Sequence, residues 1–490
     1  MDPGGSRAHA ERRGVIARLN ERYVNFDVAA LKTAIGKHVG HGSVKELVKL
    51  SEGGFNRVLL ATMEDDFKAI VKIPYRISVP ETYATASEVA TLTFLRSKGF
   101  PVPEVYGWSA TREDEVGVEY IIKEHAAGIG AETRWFQTTK YQKKALVAGI
   151  VDMEKKLFDI PSASDGDSET YCIGPIADYM FWDGQRAELE LDRGPWSDPG
   201  QYLRAIAIKE VLWTERFGKP LECDFRHNTV FPGVDSHQDY LILLNKSLAI
   251  APYLIPQDPK DILNRPTLHH RDLTPSNVFV CPETFRPTCI IDWQHTTITP
   301  LLLAAAYPRL FENPDPEPPA GLTPPEYPGN YDQLDPEDKT QVDELIRRQS
   351  LFYLYRDPLI LPRQHLVDLA GRQWSGDLMT LRGSLMRIRD IWSHVPGHDR
   401  SQECPISFSE EELAAQSENE PMWCNLNHLV SHWRDELEGI SEEGWVSTEK
   451  YDHAVKRNDL LKAEFAEGGS LDELDKIKRA WPFQDHEESY

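Results

Sequence analysis

The spacing of apolar and polar positions changes several times along the chain, and each change marks an element. Val28, Leu31, Ile35 and Val39 recur at helical spacing, so residues 1–47 are expected to form a preface built on one amphipathic helix. From Val44 the period shortens. Leu47-Val48-Lys49-Leu50 runs through Ser51-Glu52-Gly53-Gly54-Phe55-Asn56 into Arg57-Val58-Leu59-Leu60-Ala61-Thr62, which reads as strand, glycine-tipped turn and strand. A third strand, Ala69-Ile70-Val71-Lys72-Ile73-Pro74, carries one lysine inside an apolar run. Ser78-Val79-Pro80-Glu81 has the S-x-x-E spacing of a capping box with an early proline. It opens a predicted helix that passes through Glu88 to about Ser97 and stops at Gly99. Residues 101–108 read as an extended connection and residues 117–123 as an apolar strand. Glu124-His125-Ala126-Ala127-Gly128 follows as a bend, and residues 135–157 as a helix with Leu146, Ile150, Met153 and Leu157 on one face.

Residues 158–265 lack a single period. They hold a polar stretch (161–169), an irregular segment with Tyr179, Phe181, Trp182 and Trp196, and helices near 202–217 and 240–255. The densest pattern comes next, from His270 to Gln294. Val278-Phe279-Val280 and Cys289-Ile290-Ile291 read as two short buried strands around a turn containing Pro282 and Pro287. Polar clusters bracket them: His270-Arg271-Asp272 with Asn277 before, Asp292 after. Such a hairpin brings an Asp and an Asn on one loop towards a second Asp just past the returning strand. That is the layout needed to hold magnesium and orient a hydroxyl for phosphoryl transfer. An apolar run at 301–306 leads to a proline-rich linker, 313–328, which excludes helix interior and central strand. Beyond it, residues 337–355, 365–395 and 409–438 alternate charges and aromatics at helical spacing, and 451–479 reads as a more exposed helix. No internal repeat is evident.

Composition narrows the partners. With 54 Lys+Arg against 78 Asp+Glu the net charge is −24, which disfavours nucleic-acid phosphates and anionic lipid as ligands. The six cysteines (Cys172, Cys223, Cys281, Cys289, Cys404, Cys424) form no CxxC pair, so the pattern suggests neither zinc nor a disulfide framework, and a reducing compartment fits. No apolar run approaches the roughly 18 residues that span a bilayer, and no secretory signal is evident, so a soluble intracellular protein is expected. Arg7, Arg12, Arg13, Arg18 and Arg22 resemble a mitochondrial presequence; Asp2, Glu11 and Glu21 fit a plain solvated leader instead.

Individually these signals are ambiguous. Gly53-Gly54 serves an ordinary hairpin as well as a phosphate-covering turn that lets backbone N–H groups approach a ligand. Lys72 fits simple strand alternation until Glu88 is placed on the next helix beside Val89 and Leu92. There an ion pair would hold the ammonium over nucleotide phosphates. The aromatic insertion either recognises a phosphoryl acceptor, through Tyr179, Trp182, Asp183, Asp192 and Trp196, or thickens the second lobe.

The glycine turn, Lys72, Glu88, the bend, H-R-D-x-x-x-x-N and Ile290-Ile291-Asp292-Trp293-Gln294, in that order, resemble the aminoglycoside phosphotransferase and choline kinase-like family over about residues 47–310. Cys172-Ile173-Gly174-Pro175, Asp192-Arg193-Gly194-Pro195-Trp196, Arg347-Arg348-Gln349 and Tyr23-Val24 look like its fungal members related to altered inheritance of mitochondria protein nine. The resemblance implies an α+β, two-lobed protein-kinase-like fold: an antiparallel-sheet N-lobe (48–125), a mainly helical C-lobe (126–312) and a helical C-terminal region (329–490). It implies ATP and Mg2+ as cofactors, a small-molecule hydroxyl as acceptor, and a mitochondrial address. Asp272 becomes the catalytic base, Asn277 and Asp292 the metal ligands, and Lys72 with Glu88 the phosphate-pairing couple. Gly53, Gly54 and Asn56 form the covering turn, and the backbone around Glu124 and Ala126 meets adenine. His270 packs beneath the loop. Asp292-Trp293-Gln294 in place of D-F-G, Thr274 where protein kinases often carry lysine, and no A-P-E downstream favour a small-molecule kinase over a protein kinase. A scaffold acting through its C-terminal helices and a protein partner is the rival expectation.

Overall fold

A computed structural model describes residues 23–160, 170–222, 234–304, 361–397, 402–437, 451–466 and 481–483, with short pieces between 326 and 346. The arginine-rich leader, the polar stretch 161–169, nearly all of the proline-rich linker and most of 337–355 lie outside the described residues. The chain forms two compact units that do not follow chain order. Among the described residues, one comprises those of 23–201 and 255–364 and the other those of 202–254 and 365–490.

The first unit begins with α1 (Val28–Val39), capped by Asp27, whose carboxylate accepts from the Ala30 N–H at 2.8 Å. The helix is not a detached preface. Leu31 and Ile35 are fully buried in one core with Leu59, Val71, Ile73 and Ile122 of the sheet. That sheet has five strands: β1 (Val44–Glu52), β2 (Asn56–Met63), β3 (Lys68–Pro74), β4 (Val105–Ser109) and β5 (Tyr120–Glu124). Their spatial order is β1-β2-β3-β5-β4, all antiparallel. The expected extended connection 101–108 therefore ends in an edge strand, which pairs with β5.

Helix α2 (Tyr83–Ser97) ends before Gly99, as its sequence suggests, but the Ser78–Glu81 capping box does not form. Ser78 Oγ donates to the Phe55 carbonyl at 2.5 Å instead. Thr82, at φ 67, becomes the residue before the helix. Its N–H and the Thr85 hydroxyl donate to the two oxygens of buried Glu119, at 3.1 and 2.5 Å. A carboxylate more than thirty residues downstream thus sits at the start of the helix, holding one backbone N–H and one hydroxyl there, where the helix dipole favours negative charge.

Past the bend, β6 (Ile129–Gly130) joins β7 (Val278–Val280) and β8 (Pro287–Ile290) in a three-stranded sheet ordered β8-β7-β6. Helix α3 (Lys140–Asp159) starts five residues later than expected, with a Thr139–Gln142 capping box, and follows a 3-10 turn (Ala131–Gln137). Its Leu146, Ile150, Met153 and Leu157 share a core with Val278, Val280, Ile290 and Trp293. Gly149 admits this packing, because a Cβ there would lie 2.4 Å from Pro287 Cδ.

The second unit is helical. Pro199–Phe217 and His237–Ile250 stand for the helices expected near 202–217 and 240–255. The expected run 365–395 is two helices, Leu361–Ala370 and Leu378–Asp390. Between them, the loop at Gly371–Trp374 is fixed by hydrogen bonds: Lys209 Nζ to the Gly371 carbonyl (2.9 Å), Tyr240 OH to the Arg372 carbonyl (2.6 Å) and Trp374 Nε1 to the Lys219 carbonyl (2.9 Å). Glu410–Glu436 and Tyr451–Ala466 complete it, with Trp433, Leu437, Leu461 and Trp481 in a common core. Among the described residues no helix is long and apolar enough to cross a membrane.

Candidate active site

Strand alternation aims Lys72 at the face of the sheet that α2 covers. Its ammonium lies 2.7 Å from Glu88 Oε2 and 2.7 Å from Asp292 Oδ1, so one cation bridges the helix and the chain after β8. A second lysine joins. Ile70 pairs with Lys123 across β3 and β5, which puts Lys123 on the same face as Lys72, and its Nζ lies 3.4 Å from Glu88 Oε1. Glu88 is 2% exposed and receives a cation on each oxygen. Burial favours the neutral form of Lys72, but the charges of Asp292 and Glu88 outweigh it and raise its pKa. Burial likewise pushes the Asp292 carboxyl up, and the Lys72 charge and hydrogen bond more than reverse this, holding it below the usual carboxylate range.

The loop from His270 to Asn277 lies beside the strand end that carries Asp292: the Ile291 N–H donates to the Asn277 carbonyl at 3.0 Å. Asn277 Nδ2 donates to the Asp272 carbonyl at 2.8 Å and to Asp272 Oδ2 at 3.1 Å, fixing the Asp side chain to its own loop. His270 lies beneath: its Nδ1 accepts from the Asp272 N–H at 3.2 Å, and its Nε2 is 2.9 Å from the Ile291 carbonyl. Those two bonds define a neutral imidazole with its proton on Nε2, and burial, which lowers the His270 pKa, agrees. One ring therefore joins the loop carrying Asp272 to the strand end carrying Asp292. Asp292 itself adopts φ 62, which turns the chain out of β8. Trp293 is 1% exposed, edge-on to His270 at 4.7 Å and to Phe100 at 5.7 Å, and its indole N–H donates to the Ile290 carbonyl.

The glycine turn closes onto this assembly through Asn56, whose Nδ2 donates to Gln294 Oε1 at 2.6 Å. Asn56 Oδ1 is buried and has no hydrogen-bond partner. Gly53 N–H donates to the Asn56 carbonyl at 3.0 Å. Gly53 has no left-handed φ, and a Cβ there would meet nothing within 4 Å. Neither backbone strain nor packing accounts for glycine at that position. Gly54 precedes Phe55 in the same three-residue turn.

At the bend, the Glu124 carboxylate is turned away from the site: Oε2 accepts from Arg96 Nη1 (2.7 Å) and from the Glu104 N–H (3.0 Å). The Glu124 N–H donates to the Glu104 carbonyl at 2.8 Å. Ala126 is buried, and the Ala127 carbonyl accepts from Thr288 Oγ1 at 2.7 Å. Gly128, at φ 102, is required here, since a Cβ would stand 2.5 Å from the Val280 carbonyl oxygen.

The aromatic insertion is divided in its duties. Trp182 Nε1 donates to the Ile176 carbonyl (2.7 Å) and Trp196 Nε1 to Asp192 Oδ2 (2.8 Å), so Trp182, Asp192 and Trp196 use these polar atoms within the segment itself. Arg193 binds the carbonyls of Arg186 and Phe181 and lies over the Trp182 ring at 4.2 Å. Tyr179 instead faces outward from the segment, edge-on to Phe55 of the glycine turn at 5.0 Å.

Lys123, Glu119 and Asp178 were not singled out by sequence reasoning. Only Lys123 had a usable signal, a second lysine ending an apolar strand.

A small antiparallel sheet with a helix pairing its lysine, a glycine bend, and a second lobe presenting Asp and Asn on one loop and Asp at a strand end define a kinase-like phosphotransferase of α+β, two-lobed architecture. The chain belongs to the phosphotransferase enzyme family, whose model matches residues 46–307. It is 30% identical to the subtelomeric hrmA-associated cluster protein of Aspergillus fumigatus, over 91% of this chain and 97% of that one. It is 23% identical to altered inheritance of mitochondria protein 9, mitochondrial, of Yarrowia lipolytica, over 86% of this chain and 78% of that one. Among solved structures, an aminoglycoside phosphotransferase in a streptomycin–ATP ternary complex matches with a TM-score of 0.38 and 15% identity, over 76% of this chain and 98% of that one.

Proposed function

We propose that the protein transfers the γ-phosphoryl group of ATP, with Mg2+, to a hydroxyl of a small molecule. The observation that carries this reading is the Lys72 ammonium held 2.7 Å from both Glu88 and Asp292, in the same site as the Asp272–Asn277 pair. Phosphoryl transfer asks little covalent chemistry of a protein and much positioning and charge, and these residues supply both. Lys72 is fixed by Glu88 and so presents a preorganised positive charge to nucleotide phosphates. Gly53 leaves open space where a phosphate would approach the turn. The base would meet backbone groups at the bend other than the Glu124 N–H, which Glu104 already engages.

Asp272 accepts the proton of the acceptor hydroxyl as its oxygen attacks phosphorus, and Asn277 keeps that carboxylate from rotating away. The donor set fits magnesium. Asn277 spends its Nδ2 on Asp272, leaving its amide oxygen as ligand, and the Asp292 side chain is 40% exposed. Two hard oxygens, with phosphates and water completing the shell, suit Mg2+; among the described residues no group of three or more His, Cys, Asp or Glu is arranged as a protein cage. When bound, Mg2+ neutralises charge on the transferring group.

The test is ATP turnover across a panel of hydroxylated metabolites, amino-alcohols and sugars included, with wild type and Asp272→Asn. Loss of about 10²–10⁴-fold in the variant for one substrate is expected. Equal rates for every substrate would remove the catalytic reading.

A further inference from the structure

Arg271, next to the proposed base, forms an ion pair with Asp178, 93 residues away in the aromatic segment that precedes the second unit's helices. The Asp178 side chain is 12% exposed, so the pair is partly withdrawn from water and costly to break from one side. The two oxygens of Asp178 have separate tasks. Oδ2 meets Arg271; Oδ1 accepts from the Met180 N–H at 3.0 Å and caps the 3-10 turn Tyr179–Phe181. The next residue reaches the other side of the site. Tyr179 packs on Phe55 at 5.0 Å and on His295 at 5.9 Å; Phe55 meets His295 at 5.5 Å, and the His295 Nε2 lies 3.1 Å from the Val79 carbonyl. Two adjacent residues of one inserted segment therefore touch the catalytic loop, the glycine turn and the chain just after Asp292.

We propose that Asp178 is a positioning residue for the transfer reaction: through Arg271 it fixes the loop that carries Asp272, while Tyr179 sets the distance of the glycine turn from that loop. This rests on the phosphotransferase reading above. The chemistry is charge pairing and packing; the segment contributes no reacting atom.

Asp178→Asn isolates the effect, because an asparagine oxygen still caps the Met180 N–H while the charge facing Arg271 is lost. Two measurements on the full chain are paired. Amide hydrogen exchange should accelerate at least tenfold across residues 270–277, with the peptide covering 176–182 unchanged. In turnover with the acceptor found in the panel, kcat should fall about 10–100-fold with KM for ATP within twofold. Asp178→Glu should restore part of kcat, and Asp178→Asn combined with Arg271→Met should be no worse than either alone. Unchanged exchange at 270–277 overturns the proposal whatever the kinetics, and so do independent, multiplicative effects of the two substitutions. If wild type turns over nothing while exchange accelerates as described, the loop-fixing role stands and the phosphotransferase reading falls.

Discussion

Replacing Lys72 by methionine separates what the buried charge cluster does for folding from what it does for ligand. At 2.7 Å and an effective dielectric of about 20, each Lys72–carboxylate attraction is about 6 kcal/mol. Taking each ion from water costs several kcal/mol, so the intact cluster contributes little net stability. Removing Lys72 alone is different. Glu88 stays buried, with Lys123 at 3.4 Å as its remaining cation, whereas Asp292, 40% exposed, can hydrate. The usual cost of about 3–5 kcal/mol for orphaning a buried charge is therefore reduced to about 2–3 kcal/mol. Glu88→Gln added to Lys72→Met removes the orphaned charge and should recover about 1–2 kcal/mol relative to additivity, the coupling expected of residues in contact. Urea unfolding of wild type, both single variants and the double variant measures this, and calorimetric titration with MgATP runs beside it. Stability should be partly regained in the double variant, while nucleotide affinity stays at least tenfold weaker in every variant that lacks Lys72. Additive stability effects within about 0.5 kcal/mol would refute the charge-cluster argument, and wild-type nucleotide affinity in Lys72→Met would refute its role toward phosphate.

Two further outcomes follow from the geometry. Gly128→Ala places a Cβ 2.5 Å from the Val280 carbonyl at φ 102, combining about 1–2 kcal/mol of left-handed backbone cost with an overpacking term of similar size. A loss of about 3 kcal/mol is expected in urea unfolding, and a loss below about 1 kcal/mol would mean that the bend relaxes freely. Burial, with the charge of Arg271, pushes His269 down to about 3, well below its unfolded value near 6.5. Between those values the unfolded chain binds the proton and the native one does not, so stability is lost as pH falls through that window. The slope is up to about 1.4 kcal/mol per pH unit, or about 2 kcal/mol between pH 6.5 and 5. His269→Gln should remove that component from the pH dependence of unfolding; an identical slope in both proteins would exclude it.

The parts legible in the sequence were those written in local periodicity. Lys72 stood out because a charge interrupts an apolar strand, and Asp272, Asn277 and Asp292 because two three-residue apolar runs leave them at fixed spacing around one hairpin. What escaped was set by register or by partners far along the chain. Lys123 reaches Glu88 only because β3 and β5 pair with Ile70 opposite it, a fact no single segment contains. The Ser78–Glu81 cap was a local signal overridden by tertiary partners: Ser78 Oγ goes to the Phe55 carbonyl, and Glu119, just before β5, holds the Thr82 N–H and the Thr85 hydroxyl at the helix start. Two-residue β6 has no period to detect, and it is held by β7 rather than by its own sequence.

Trp293 shows how these levels meet in the site. From sequence it marked a departure from D-F-G. In the structure its buried ring fills the space between Phe100 and His270, and His270 spans the backbone of Asp272 and Ile291. A side chain locked in that slot cannot move out without opening a cavity worth about 3–5 kcal/mol. Asp292, one residue before it, is thereby tied to the core, and its place beside Lys72 is a consequence of packing as much as of charge. The same slot binds the loop with Asp272 to the strand end with Asp292 through one neutral imidazole. The backbone next to Asp272 and that next to Asp292 are thus joined through groups to which the proposed transfer gives no reacting atom, and the Arg271–Asp178 pair extends that arrangement one step further, to the inserted segment.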